Sequence, residues 1–152
     1  AGGGKSYLGS CWIISSCIRF DNIRAVVARK TIKSLKESTF NTIKTILKTW
    51  GLKEGVNYKI NNLEGTVTFW NGSVILLKEM VDLPSDPNFE RFGSSEYTIA
   101  FVDEVSEISE RAIEVLPTPG GPTKHKIGAF IDPVNFKTAR YSVIRSLIFS
   151  KP

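Results

Sequence analysis

Two short clusters of residues in this chain could do chemistry. Near its start, Gly2-Gly3-Gly4-Lys5-Ser6 leads into small and apolar residues over 7–18 that suit a helix. Glycines let backbone N–H groups approach anionic oxygens, a Lys reaches the outer phosphates of a nucleotide, and a Ser hydroxyl ligates magnesium. Gly4-Lys5-Ser6 matches the closing part of the pattern G-x-x-x-x-G-K-[ST], whose first glycine would fall before Ala1. Taken alone it also fits a flexible glycine-rich terminus. The second cluster is Ile99-Ala100-Phe101-Val102-Asp103-Glu104, an apolar strand followed by two acids. A carboxylate at a strand end can hold magnesium, and an acid beside it can orient or deprotonate an attacking water. Acids also suit the first turn of a helix, where they complement its dipole. Adjacent acids after an all-apolar strand, downstream of Gly-Lys-Ser, point instead to metal-assisted phosphoryl transfer.

Several elements must position these clusters. Residues 24–28 read as a short buried strand, β-branched at its centre. Over 31–50, Ile32, Leu35, Ile43, Ile46, Leu47 and Trp50 recur at helical spacing, and Gly51 supplies a stop. Strands are expected at 58–60, 66–69 and 73–77, the last two forming a hairpin across Trp70, Asn71 and Gly72. A loop follows over 84–95. Residues 97–102 then form a continuous apolar strand of the kind parallel sheets bury on both faces, and 109–116 can continue as a helix. Pro117-Thr118-Pro119-Gly120-Gly121-Pro122 interrupts any regular element, and only short apolar pieces at 127–131 and 141–149 lie beyond it.

The chain has 152 residues, 41% hydrophobic and 23% charged, which suits one globular domain and excludes a wholly disordered or collagen-like polymer. No apolar stretch approaches the roughly 20 residues of a membrane span, and no segment reads as a secretory leader. The formal charge of +5 is unevenly placed. Residues 1–116 carry 14 basic and 14 acidic side chains, whereas 117–152 carry six basic residues against Asp132 alone. Bulk charge therefore gives the main body little grip on nucleic acid. Cys11 and Cys17 would lie about 240° apart on one helix, which does not suit a disulfide, and with a single His no familiar zinc spacing can be assembled.

With these residues in order, the chain resembles the ATPase domain of phage terminase large subunits. The resemblance is carried by Gly2-Gly3-Gly4-Lys5-Ser6-Tyr7, Val26-Val27-Ala28-Arg29-Lys30-Thr31, Ser38-Thr39-Phe40, Asn71-Gly72-Ser73-Val74-Ile75, Asp86-Pro87-Asn88-Phe89 and Phe101-Val102-Asp103-Glu104-Val105-Ser106-Glu107-Ile108, over about residues 1–116. It implies an α/β fold, a RecA-like P-loop nucleoside triphosphatase core with a mostly parallel sheet, and an ATP-driven, magnesium-dependent motor that packs double-stranded DNA. On this resemblance Gly2, Gly3 and Gly4 wrap phosphate. Lys5 contacts the β and γ phosphates and takes part in catalysis, while Ser6 and Asp103 hold Mg2+. Glu104 serves the catalytic water, and Arg29 faces the nucleotide unless it is merely a strand-end cation. The implied partners are a terminase small subunit, a portal and further copies of the chain, in the cytoplasm of a bacterial host and away from membranes.

The family also has a strand before its phosphate loop, and a coupling motif and nuclease domain after its acidic pair. The chain opens at Ala1 inside the glycine motif, so it is read as a fragment truncated at the N-terminus, with the absent central strand leaving two neighbours unpaired. Residues 117–152 are expected to be a basic, non-matching tail, frameshifted or disordered. Two other functions remain open at this point: another RecA-type DNA-dependent ATPase or helicase fragment, and a non-catalytic nucleic-acid-binding remnant in which the tail does the work.

Overall fold

The computed structural model describes residues 3–93, 96–114 and 128–131. The opening helix α1 covers Gly3–Arg19 and leads to strand β1, Arg24–Arg29. A helical run follows as α2 (Ile32–Leu35), a π-turn (Lys36–Phe40) and α3 (Asn41–Thr49). Strands β2 (Tyr58–Asn61), β3 (Thr66–Phe69) and β4 (Val74–Glu79) come next, then the short α4 (Glu90–Gly93), β5 (Ile99–Val102), α5 (Glu110–Glu114) and β6 (Gly128–Ile131). The six strands make one sheet in the order β2-β3-β4-β1-β5-β6. Strands β4, β1, β5 and β6 run parallel, while β2 and β3 are antiparallel additions beyond β4. This is the expected α/β architecture with a mostly parallel sheet.

Strand alternation sorts the core into two layers. Ala25 and Val27 of β1, Ile75 and Leu77 of β4, and Ile99 and Phe101 of β5 face one apolar cluster with α1 and α3. Val26 and Ala28, with Ala100 and Val102, face the other cluster, closed by Met80, Phe89, Tyr97, Val105, Ile108 and Ala112. All four residues of β5 are buried, as a central parallel strand requires. The hairpin between β3 and β4 forms where Asn-Gly suggested, with Gly72 at φ +80°. A short helical turn, α4, stands inside the stretch expected to be loop.

Two differences from the sequence reading bear on the site. The helix over 31–50 is present, capped by Thr31 and stopped at Gly51 (φ +76°), but a π-turn interrupts it at Lys36–Phe40. The sheet also shows no internal break. From β2 to β6 each strand is paired with its neighbour, so the expected gap between two unpaired strands does not occur among the described residues. The reason is that β1 pairs directly with both β4 and β5; β6, from the stretch expected to be a basic tail, adds an edge strand parallel to β5 from Ile99↔Gly128 to Val102↔Ile131. The proline-rich break at 117–122 and the apolar piece at 141–149 lie outside the described residues.

The inward stripe of α1 is graded in size. Gly9 and Ser10 are buried near its start, and Ile13, Ile14 and Cys17 follow toward its end. The small residues let the first half of the helix press onto β5. A Cβ placed on Gly9 would stand 2.3 Å from the Phe101 ring. Gly9→Ala would gain about 1 kcal/mol of helix propensity, but overpacking against a buried ring costs about 1–3 kcal/mol. We expect net destabilisation near ~1 kcal/mol in urea unfolding, with Phe101→Leu reducing the penalty; a more stable Gly9→Ala protein would refute the close approach.

Burial also pushes the Cys17 thiol up, from 9.0 to about 12. The folded protein therefore retains a proton that the unfolded chain releases. Its contribution to stability is intact below about pH 9 and lost as pH rises toward 12. Unfolding titrations should show stability falling between about pH 9 and 11, and a shallower fall in Cys17→Ala; identical slopes would rule this contribution out.

Candidate functional site

Neighbouring parallel strands β1 and β5 end at the same edge of the sheet, and the ladder continues one residue further as Asp103 N–H donates to the Ala28 carbonyl at 2.9 Å. The carboxyl edge of a parallel sheet is where open α/β folds gather ligands. Helix α1 begins at this edge. Its first turn holds Gly3, Gly4, Lys5 and Ser6 and contains no acid. Lys5 is exposed, and an added Cβ on Gly4 would meet nothing within 4 Å, so the glycine end of the helix faces open space. Gly2 lies outside the described residues.

Asp103 follows Ile99 and Phe101 onto the α1 face of the sheet and is only 3% exposed. Both carboxylate oxygens receive hydroxyl hydrogens. Ser6 Oγ donates to Oδ1 at 2.8 Å, and Thr39 Oγ1 donates to Oδ2 at 2.5 Å. Ser6 is itself anchored, because Ser10 Oγ donates to its carbonyl at 2.7 Å.

Glu104 departs from the alternation. Extended backbone would send it after Ala100 and Val102 to the opposite face. Instead it takes left-handed dihedrals, φ 52° and ψ 51°, and its carboxylate pairs with the Arg29 guanidinium on the α1 face. A non-glycine residue in this region carries strain of order ~1 kcal/mol, which recurs at functional sites. Arg29 follows Ala25 and Val27 off the end of β1. It also donates through Nη1 to Ser38 Oγ at 2.5 Å, while its buried Nε has no hydrogen-bond partner among the described residues.

Of the residues singled out in the sequence, Ser6, Asp103, Glu104 and Arg29 therefore converge, with Lys5 in the adjoining helical turn. Sequence reasoning missed what Ser38 and Thr39 do, since they entered only as part of a resemblance. Spacing gives no signal for this, since Thr39 stands four residues after Leu35 and four before Ile43, as a regular inward stripe would.

The donor set suits magnesium. Ser6 Oγ and Asp103 Oδ1 are hard oxygens side by side, and magnesium commonly uses one or two carboxylates together with substrate phosphates rather than an all-protein cage. Among the described residues no three His, Cys, Asp or Glu side chains gather as a metal-binding group. Ser6 and Asp103 should be coupled even without ligand. A double-mutant cycle of Ser6→Ala and Asp103→Ala is expected to give about 1.5 kcal/mol in urea unfolding, and strictly additive effects would mean the bond is not formed in solution.

Comparison with known proteins places this geometry in context. A sequence profile described as phage terminase large subunit matches residues 1–141. No curated protein matches the chain. Among solved structures, the large terminase from a thermophilic bacteriophage is similar in fold. One crystal form aligns with a TM-score of 0.59 at 19% identity, over 75% of this chain and 27% of that one. A second form gives 0.56 at 18% identity, over 86% of this chain and 29% of that one. The same terminase in complex with ATP-gamma-S gives 0.58 at 18% identity, covering 86% and 30%. This chain thus spans less than a third of the length of those relatives.

Proposed function

The chain belongs to the phage terminase large subunit family, and from that premise we propose that it is the ATP-binding and ATP-hydrolysing part of a DNA-packaging motor. The observation that carries the reading is the Ser6–Asp103 hydrogen bond, which joins a Gly-Lys-Ser helix start to the acid at the end of a buried parallel strand. These are the Walker A (P-loop) and Walker B elements of a nucleoside triphosphatase, with Glu104 next in line. The ATP-gamma-S complex of the thermophilic phage's terminase supports a nucleotide as the ligand of this fold.

In this mechanism the amide groups of Gly2, Gly3 and Gly4 cradle phosphate oxygens, and the positive end of α1 favours their charge. Lys5, the third residue of α1, contacts the β and γ phosphates. Ser6 and Asp103 hold Mg2+, which when bound would offset charge on the phosphate oxygens. Glu104 orients the attacking water and accepts its proton, so that the oxygen attacks the γ phosphorus and ADP leaves. The left-handed turn supports this role by bringing the Glu104 carboxylate to the same face as Asp103. The Arg29 Nε–H, still without a partner, is suited to an anionic oxygen.

Family membership supports double-stranded DNA as the substrate moved, with a small subunit, a portal and further copies of the chain as partners in the cytoplasm of a bacterial host. No described helix is long and apolar enough to cross a membrane.

Glu104→Gln tests the reading most directly. ATP hydrolysis should fall by about 100-fold or more, with ATP-gamma-S affinity unchanged, whereas Lys5→Ala should weaken nucleotide binding itself. Failure of the chain to bind ATP-gamma-S, or undiminished turnover in Glu104→Gln, would overturn it.

A further inference from the structure

The hydroxyl of Thr39 is used differently from its neighbours on the helical run. Ser38 donates to the Ser34 carbonyl at 2.8 Å, Thr42 to Ser38 at 3.2 Å, Thr45 to Asn41 at 2.9 Å and Thr49 to Thr45 at 2.9 Å. This is the ordinary return bond of a helical hydroxyl to the carbonyl four residues back. Thr39 instead reaches across to Asp103 Oδ2 at 2.5 Å, and it is fully buried. Thr39 lies in the π-turn. Within it two consecutive residues turn inward, Thr39 toward the acid and Phe40 into the apolar layer.

From this we infer that Thr39 is a positioning residue, one that fixes the carboxylate of Asp103 in the orientation its metal requires. The carboxyl torsion of an Asp is broad and defines no single plane by itself. A bond from Ser6 to Oδ1 leaves rotation about that contact, and a second bond from Thr39 to Oδ2 removes it. Magnesium tolerates little departure from octahedral geometry, so a carboxylate held at both oxygens presents the remaining lone pairs in a set direction. The same turn serves the neighbouring acid, since Ser38 holds the Arg29 guanidinium that pairs with Glu104.

The inference rests on Asp103 being the metal-binding carboxylate, and its test separates the two ideas. The probe is a fluorescent ATP-gamma-S analogue bound to the full chain, titrated with Mg2+ and measured in parallel in EDTA. Loss of an outer-shell partner typically weakens metal binding by about 10–100-fold. Thr39→Val, which keeps the shape and removes the hydroxyl, should raise the Mg2+ midpoint by about 10-fold, with affinity in EDTA unchanged and the midpoint restored in Thr39→Ser. Thr39→Ala, which also lacks the hydroxyl, should behave as Thr39→Val does and replaces it if the valine protein does not fold. If Asp103→Asn raises the midpoint while Thr39→Val and Thr39→Ala leave it in place, the inference is wrong and the metal reading stands. If Asp103→Asn leaves the midpoint unchanged, the metal reading falls and the inference with it. Equal shifts in Thr39→Val and Thr39→Ser would assign the effect to packing and overturn the positioning role.

Discussion

A carboxylate taken out of water must be met by donors or it costs several kcal/mol. Asp103 is such a group, and much of the structure can be understood as the means of meeting it. Ser6 arrives from the start of α1, Thr39 from the middle of the helical run, and the ladder between β1 and β5 extends to the Asp103 amide. Three segments distant in sequence thus end on one residue, two at its carboxylate and one at its main-chain amide. Each must be in place for the others to be satisfied, which makes this corner of the sheet cooperative in the same sense as the apolar layers beneath it.

Those layers determine where the donors can stand. Because Gly9 has no side chain, α1 lies close against Phe101, and Ser6, three residues earlier, comes within reach of Asp103. The larger residues, Ile13, Ile14 and Cys17, fill the space farther along the helix. The grading from small to large thereby aims the helix start at the carboxyl edge of β5. Packing and chemistry are joined by one backbone contact rather than by any residue that touches both.

Much of this was legible in the sequence where a signal is local and redundant. The apolar run ending at Val102, the acids after it, the Asn-Gly hairpin and the helix stopped at Gly51 each announce themselves within a few residues. The two acids are adjacent in the sequence, although only the structure shows that Glu104 reaches the α1 face through a left-handed turn. Other features depend on distant partners and carry little local trace. Gly9 looks like any glycine in a helix of small residues until the Phe101 ring is set against it. Thr39 looks like an ordinary helical hydroxyl, and its spacing from Leu35 and Ile43 is that of a regular helix. Strand β6 is four residues long and follows a stretch rich in proline and glycine, so its place beside β5 is a property of the sheet edge rather than of its own composition.

The left-handed backbone at residue 104 sets folding and chemistry at odds. Gly or Asn would accept those dihedrals more readily than Glu does. A sequence optimised for stability alone would therefore tend to replace the acid to which the proposed mechanism gives the attacking water. Thermostabilising selection applied to this chain without a functional screen would be drawn to position 104 early, and on that mechanism its success there would be measured in lost hydrolysis.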